Sequence, residues 1–237
     1  MKVIAAPFAF NEGIKIRNTL KKFPRERTYD LYVVDDGSTD GSLDGVEEEF
    51  NCTVLRSEVN RGIGFNIKRY LDYAIEKGYD VAVIVAGNDK DDPTQIPRLL
   101  KPIMEDEFDF VQGSRYLPGG DFGNMPLYRQ IATRFVHPLL FSLVSRKRIT
   151  DSTNGFRAIR LSILNDSKID YHQTWLDKYE LEPYLFYKSI RLGYKVGEVP
   201  VTKVYPDKQL GYTKMRPITG WWSILRPLVY LFFKIKK

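Results

Sequence analysis

Apolar and polar positions along the chain alternate between two periods. Short apolar runs in "KVIAAPF", "YDLYVVDDG", "CTVLRSE" and "YDVAVIVAG" predict four strands. The fourth is apolar on both faces, as strands of a helix-covered parallel sheet are. Between them, "EGIKIRNTLKKF" sets Ile14, Ile16, Leu20 and Phe23 roughly on one helical face, and "SLDGVEEEF" predicts a short acidic helix. "NRGIGFNIKRYLDYAIEKG" is a glycine-rich loop opening a helix, with Gly78 at its C-terminal end. Strand–helix alternation with right-handed crossovers implies a doubly wound α/β sheet. Ligands of such sheets bind beyond the carboxyl ends of the strands, where Asp35, Asp36, Asp89 and Asp91 fall.

The second half is less regular. "FDFVQGSRYLPGG" reads as a strand and a glycine-rich loop bearing Arg115. "NMPLYRQIATRFVHPLLFSLVSRKR" predicts a helix pair with Pro138 inside it and an apolar face including Ile131, Phe135, Leu139 and Leu143. "YELEPYLFYKSIRLGYKVGEVPV" is a helix ending at Gly193, followed by a strand. In "GWWSILRPLVYLFFKIKK" the apolar stretch Trp221–Phe233 is 13 residues long and is interrupted by Arg226 and Pro227. As a helix it covers about 20 Å, short of the ~30 Å hydrocarbon core of a bilayer. Its tryptophans and its Lys234, Lys236 and Lys237 suit an interfacial segment on anionic lipid; a helix docked on the domain is the alternative.

Composition narrows the class. A length of 237 residues fits one large α/β domain, and 43% hydrophobic with 28% charged residues argues for a packed core. Cys52 is the one cysteine, which excludes an intramolecular disulfide framework and suits a reducing compartment. His137 and His172 are the only histidines, too few for a zinc site of the usual kind. The start "MKVIAAPFAF" lacks a long apolar signal core and reads as the first strand. A net charge of +6 favours anionic partners, and no nucleic-acid partner is expected.

The densest chemistry is "VIVAGNDKDDP". In extended chain, residues i and i+2 point the same way, so Asp89 and Asp91 are expected to converge while Lys90 points elsewhere. Two hard oxygen donors suit Mg2+ or Mn2+ against substrate phosphates. An acidic turn before the helix "TQIPRLLKPIM", with Asp92 as its cap, is the competing account. In "VVDDGSTDGS", the adjacent Asp35 and Asp36 face opposite ways, one toward a ligand and one toward the turn's amides. "NRGIG" has the glycines of a phosphate-cradling loop. Arg129 and Thr133, spaced i, i+4, pair a guanidinium with a hydroxyl, which suits phosphate; a solvated helix face is the alternative.

"VVDDGSTDGS", "NRGIG", the acidic strand end, "GSRY", "DSTNGFR" and "LGYKVGEVPV" stand in the order and approximate spacing of family 2 glycosyltransferases. Over about residues 3–216 the chain most resembles the branch that includes dolichol- and polyprenyl-phosphate mannosyl- and glucosyltransferases. The resemblance implies a GT-A α/β fold with a mostly parallel sheet flanked by helices, a nucleotide-sugar donor (UDP- or GDP-linked), a divalent metal, Mg2+ or Mn2+, and inversion at the sugar. It implies donor contacts from Phe10, Glu12, Asp35, Asp36, Asn60, Gly62 and Asn88. The usual Asp-x-Asp stands here as Gly87-Asn88-Asp89, so Asp89 matches its second carboxylate and Asp91 a further ligand two residues on. Phe8 occupies the slot where the family usually has proline, and Pro7 precedes it.

On the acceptor side the resemblance places Arg115, Arg129 and Thr133 on a lipid phosphate and assigns Asp151 and Arg157 to the acceptor motif. Asp151 is a base for a hydroxyl acceptor, a cap, or a positioning group; a phosphate acceptor is already anionic and needs no base. Glu180 and Glu182 orient the donor sugar or the acceptor arginines, or are surface charge. The implied organisation is a glycosyltransferase domain over 1–216, with a donor half at 1–112 and an acceptor half at 113–216, and a membrane-interface tail at 217–237. A cytoplasmic protein, peripheral on the cytoplasmic face of a membrane, follows, with a membrane-protein partner as an alternative source of anchorage. The competing functions are transfer to a sugar hydroxyl of a growing glycan, a non-catalytic nucleotide-sugar or lipid-phosphate binding module, and, more weakly, a nucleotidyltransferase.

Overall fold

Residues 3–9 and 81–86 are extended and almost wholly buried, as their apolar sequences require. In the computed structural model, which describes residues 1–206 and 219–236, they form the centre of one sheet. β1 (Val3–Ala9) lies between β2 (Asp30–Asp35) and β4 (Val81–Ala86), and β3 (Thr53–Arg56) flanks β2. β5 (Phe110–Ser114), β6 (Arg157–Arg160) and β7 (Val196–Pro200) complete the order β3-β2-β1-β4-β6-β5-β7. β6 runs antiparallel to β4 and β5; every other pairing is parallel. The expected mostly parallel α/β sheet is therefore present. β6 has the four-residue sequence "RAIR", too short and too charged to read as a strand.

Side chains of β1 alternate between two cores, with Ile4, Ala6 and Phe8 on one face and Val3, Ala5 and Ala9 on the other. The second face is covered by α1 (Ile14–Lys21) and α4 (Ile96–Glu105), through Ile16, Leu20, Ile96 and Leu99. Beside α1 lies the short α2 (Val46–Phe50), which starts late because Gly45 takes a left-handed φ of 69°. The first face is covered by α3 (Ile63–Glu76) and, later in the chain, α7 (Leu181–Arg191), through Ile67, Tyr70, Tyr184 and Phe186.

The expected helix pair around Pro138 is one nearly continuous rod. α5 (Leu127–Ile131) passes through a π-helical turn, Ala132–Val136, into α6 (His137–Ser145). Pro138 stands in the first turn of α6, where its missing N–H is tolerated, and the widened turn precedes it. The expected division of the domain into halves at residues 112 and 113 falls inside β5, which is paired on both sides. The boundary at 216 and Lys237 lie outside the described residues.

The C-terminal segment is a docked helix that keeps an apolar outer side. α8 (Thr219–Phe232) packs on α6 and α7 and puts Leu228 and Leu231 into the core. Buried Glu180 accepts a hydrogen bond from Ser223 Oγ (2.5 Å) and pairs with Arg226. Trp222, Phe232, Phe233 and Ile235 remain exposed. Among the described residues no helix is long and apolar enough to cross a membrane.

His137 joins these pieces. Its Nδ1 lies 2.7 Å from Ser152 Oγ and its Nε2 3.4 Å from the Ile224 carbonyl of α8. Burial holds its pKa down at about 4. An unfolded histidine takes a proton near 6.5, so His137 stabilises the fold fully above that pH and loses the contribution as pH falls toward 4. The loss amounts to about 3 kcal/mol. Urea unfolding at pH 7 and pH 4.5 should show a larger drop for the native chain than for His137→Gln; equal drops would remove His137 as the cause.

Candidate active site at the strand ends

Parallel pairing brings the carboxyl ends of β1, β2 and β4 to one edge of the sheet. Past β1, Asn11 adopts a left-handed φ of 47° and binds the next loop: its N–H donates to Ser38 Oγ and its Oδ1 accepts from Thr39 N–H. Glu12 pairs with Lys15 at 2.8 Å, and Phe10 is half-buried before it. At the end of β2, Asp35 accepts from Ser38 N–H (2.9 Å) and has Arg56 at 3.7 Å. Asp36 turns the other way, as expected of adjacent residues in a strand. It accepts from the N–H groups of Arg61 and Gly62 and from the side chains of Asn60 and Asn66. Asn60 and Gly62 thus secure a loop around Asp36.

The glycines of "NRGIG" serve close backbone packing. A Cβ on Gly64 would lie 2.1 Å from the Leu176 carbonyl, and one on Gly62 2.7 Å from the Asp177 carbonyl. Phe65 N–H donates to that same Asp177 oxygen.

The expected convergence of Asp89 and Asp91 does not occur. Asp89 has φ 64°, so the segment is not extended and the i, i+2 rule fails. Its carboxylate goes to α1, with Lys22 Nζ at 2.6 Å and Asn18 Nδ2 at 3.0 Å. Asp91 is wholly buried, accepts from Ala86 N–H, and pairs with Lys203 Nζ at 2.5 Å. Asp92 caps the following 3-10 turn through Thr94, as the turn account expected. No group of three or more His, Cys, Asp or Glu among the described residues is placed to hold a metal. The two expected carboxylates as placed do not fit a divalent ion between them, because each is already closed by an ammonium group. Nor does Gly87 leave room for a first carboxylate, since a Cβ there would lie 2.4 Å from the Phe8 carbonyl.

Lysines occupy this corner instead. Lys90 is buried over the ring of Tyr205, with Nζ 4.6 Å from its centroid, and Arg129 Cζ lies 5.6 Å from the same ring. Burial, with the charges of Lys203, Arg129 and Lys15, lowers the Lys90 pKa to about 7. The chain leaving β7 runs antiparallel past β4's end, with Asp91 opposite Lys203 and Val204 N–H bonded to the Lys90 carbonyl. Sequence reasoning missed Lys203 and Tyr205. The one available signal was a lysine interrupting the apolar run after "EVPVT".

The acceptor-side residues separate into one open arginine and two sealed ones. Arg115 is buried against wholly buried Asp151, with Nε 2.6 Å and Nη2 2.8 Å from its two oxygens, and Nη2 also reaches Thr153. Asp151 thus commits both oxygens to Arg115, whose guanidinium is turned inward. Arg157 is likewise enclosed, pairing with Glu182 at 3.1 Å and donating to the Asn154 carbonyl. Thr133 Oγ1 donates to the Arg129 carbonyl and contacts Tyr116 Oη, so its hydroxyl is held within the rod. Arg129 differs: two of its groups, Nε and Nη1, are buried without a hydrogen-bond partner, where Arg157 has only its Nε so placed and is paired with Glu182. Asn88 Oδ1, past the end of β4, is likewise buried without one. A cleft of about 480 Å3 lined by Arg25, Arg27, Asp30 and Cys52 lies where β2 and β3 begin, away from these groups.

The chain is similar to known proteins over most of its length. An undecaprenyl-phosphate mannosyltransferase of Micrococcus luteus is 32% identical over 190 residues, covering 78% of this chain and 75% of that one. A UDP-N-acetylglucosamine–dolichyl-phosphate N-acetylglucosaminyltransferase of Methanococcus voltae is 28% identical, covering 84% of each. Among solved structures, glucosyl-3-phosphoglycerate synthase from Mycobacterium tuberculosis in complex with Mn2+, uridine diphosphate and glucosyl-3-phosphoglycerate superposes with a TM-score of 0.68 at 17% identity, covering 98% of this chain and 79% of that one. That likeness shows a shared fold. The family model described as "Glycosyl transferase family 2" matches residues 8–168, from the end of β1 past β6. With that match spanning more than half of the chain, the protein belongs to glycosyl transferase family 2 and is an enzyme of that family.

Proposed function

We propose that the enzyme transfers one sugar from a nucleotide-sugar donor to a polyprenyl phosphate, with inversion. The observation that carries this is Arg129, whose Nε and Nη1 are buried without partners on a rod whose outer side is apolar. Leu127, Tyr128, Ile131, Phe135, Leu139 and Leu143 are all exposed there. A lipid phosphate matches both features, because its headgroup needs paired N–H donors while its chain needs apolar surface. The exposed side of α8 adds to that surface, which supports peripheral binding to a membrane; the cytoplasmic face is part of the proposal. Relatives named for undecaprenyl and dolichyl phosphates support the same acceptor class.

Donor contacts are assigned to Phe10, Glu12, Asp35 and Asn88, with Asp36, Asn60 and Gly62 holding the loop beside them. In the reaction an acceptor phosphate oxygen attacks the anomeric carbon. The bond to the diphosphate breaks with its electron pair left on the departing oxygen. No proton need be removed, which suits a site whose central carboxylate, Asp151, is locked by Arg115. Transfer to a sugar hydroxyl would need a free base, and Asp151 is not one. UDP- and GDP-sugars offered with a short polyprenyl phosphate test the proposal. Arg129→Ala should lower acceptor kcat/KM roughly ten- to a hundred-fold while donor affinity holds. Equal losses toward both substrates would count against this acceptor site.

A further inference from the structure

The poor fit of this site to a divalent ion points to a different way of holding the donor. Lys203 bonds Asp91 at 2.5 Å, and Lys90 lies one residue before Asp91, over Tyr205. Both ammonium groups stand just past the carboxyl end of β4, where sheets of this kind bind ligands. An ion entering between Asp89 and Asp91 would have to expel Lys22 and Lys203 and then sit beside Lys90. Two positive charges brought that close repel, and each freed lysine would need a new partner. Removing the obstruction at Gly87 is not open to the chain either, because the Phe8 carbonyl blocks any side chain there.

We propose that Lys203, oriented by Asp91, and Lys90 take the donor's diphosphate and stand in place of a divalent cation. The ligand class is a nucleoside diphosphate, free or sugar-linked. Charge that develops on the departing diphosphate oxygen then faces the Lys203 and Lys90 side chains, which are already in place to stabilise it. Asp91 acts as a positioning residue: its second oxygen is fixed by Ala86 N–H, so the carboxylate cannot swing away, and it sets where Lys203 Nζ points.

This inference rests on the nucleotide-sugar part of the proposed function and not on its acceptor. Calorimetry of UDP and GDP binding to the full chain, in EDTA and then with Mn2+, reads it without turnover. One of the two nucleotides should bind in EDTA, with affinity changed less than about threefold by Mn2+. Lys203→Met should weaken that binding roughly ten- to a hundred-fold, and Lys203→Arg should retain most of it. Thermal unfolding of each variant separates lost contact from lost fold. Binding only with Mn2+, or none of either nucleotide in EDTA, overturns the proposal. Mn2+-independent nucleotide binding without transfer to polyprenyl phosphate would instead leave it standing and sink the acceptor assignment; transfer that occurs only with Mn2+ would do the reverse.

Discussion

Asp151→Ala should cost about 3–5 kcal/mol of stability, the range for leaving one half of a buried ion pair alone. Both oxygens of Asp151 are engaged by the Arg115 guanidinium, and the N–H groups of Arg115 (3.1 Å) and Thr153 (3.2 Å) donate to it as well. Asp151 N–H in turn donates to Glu198 on β7, so the pair ties the loop before β6 to the end of β5, where Arg115 stands, and to β7. Domains of this kind are stable by about 5–15 kcal/mol, so the loss is a large fraction of the whole. The urea midpoint is the measurement. Arg115→Met combined with Asp151→Leu should recover most of the loss, because removing both charges removes the burial penalty. A drop below about 1 kcal/mol in the single variant would mean that the guanidinium finds water, and would return Arg115 to the acceptor surface.

Gly87→Asp should damage the protein even though it rewrites Gly-Asn-Asp as the family's usual Asp-x-Asp. Its Cβ would meet the Phe8 carbonyl at 2.4 Å and the Ile16 side chain at 3.0 Å, and Gly87 N–H already donates to that carbonyl. Overpacking costs typically about 1–3 kcal/mol, and here the obstacle is main chain in a central strand. Gly87→Ala should lose nearly as much, since the clash begins at Cβ. Mn2+ titration of Gly87→Asp, followed by electron paramagnetic resonance, should show no gain in affinity over the native chain. A variant as stable as the native chain that also binds Mn2+ tightly would overturn the account of this corner.

Those two expectations mark where local sequence patterns stop. "GNDKDD" shows carboxylates at a strand end but not the left-handed turn at Asp89 that sends its side chain to Lys22. Alternation holds only while the chain is extended, and the rule that made Asp89 and Asp91 neighbours ended with the strand. Lys203 is 112 residues from Asp91, a separation no local pattern reports. Arg115 and Asp151 looked like two acceptor contacts because each matches a motif. Their mutual engagement follows from the place of β6 between β4 and β5, and "RAIR" carries no hydrophobic signal of a strand. The glycines of "NRGIG" read as those of a phosphate-cradling loop, but what approaches them is the main chain of residues 176–178.

The sequence by itself determined the elements, the α/β class and the edge of the sheet where the chemistry gathers. Apolar runs in "KVIAAPF" and "YDVAVIVAG" can be buried on two faces only inside a covered sheet, and parallel strands present their carboxyl ends together. It also determined that the C-terminal segment is too short to span a bilayer. Tertiary structure decided which charges are spoken for. Arg115, Arg157, Asp91 and Glu180 each meet an opposite charge from a distant part of the chain, whereas Arg129 keeps two buried N–H groups without a partner. A buried charge is stabilised by whatever the fold brings against it, and that is fixed by the packing of whole elements rather than by neighbours in sequence.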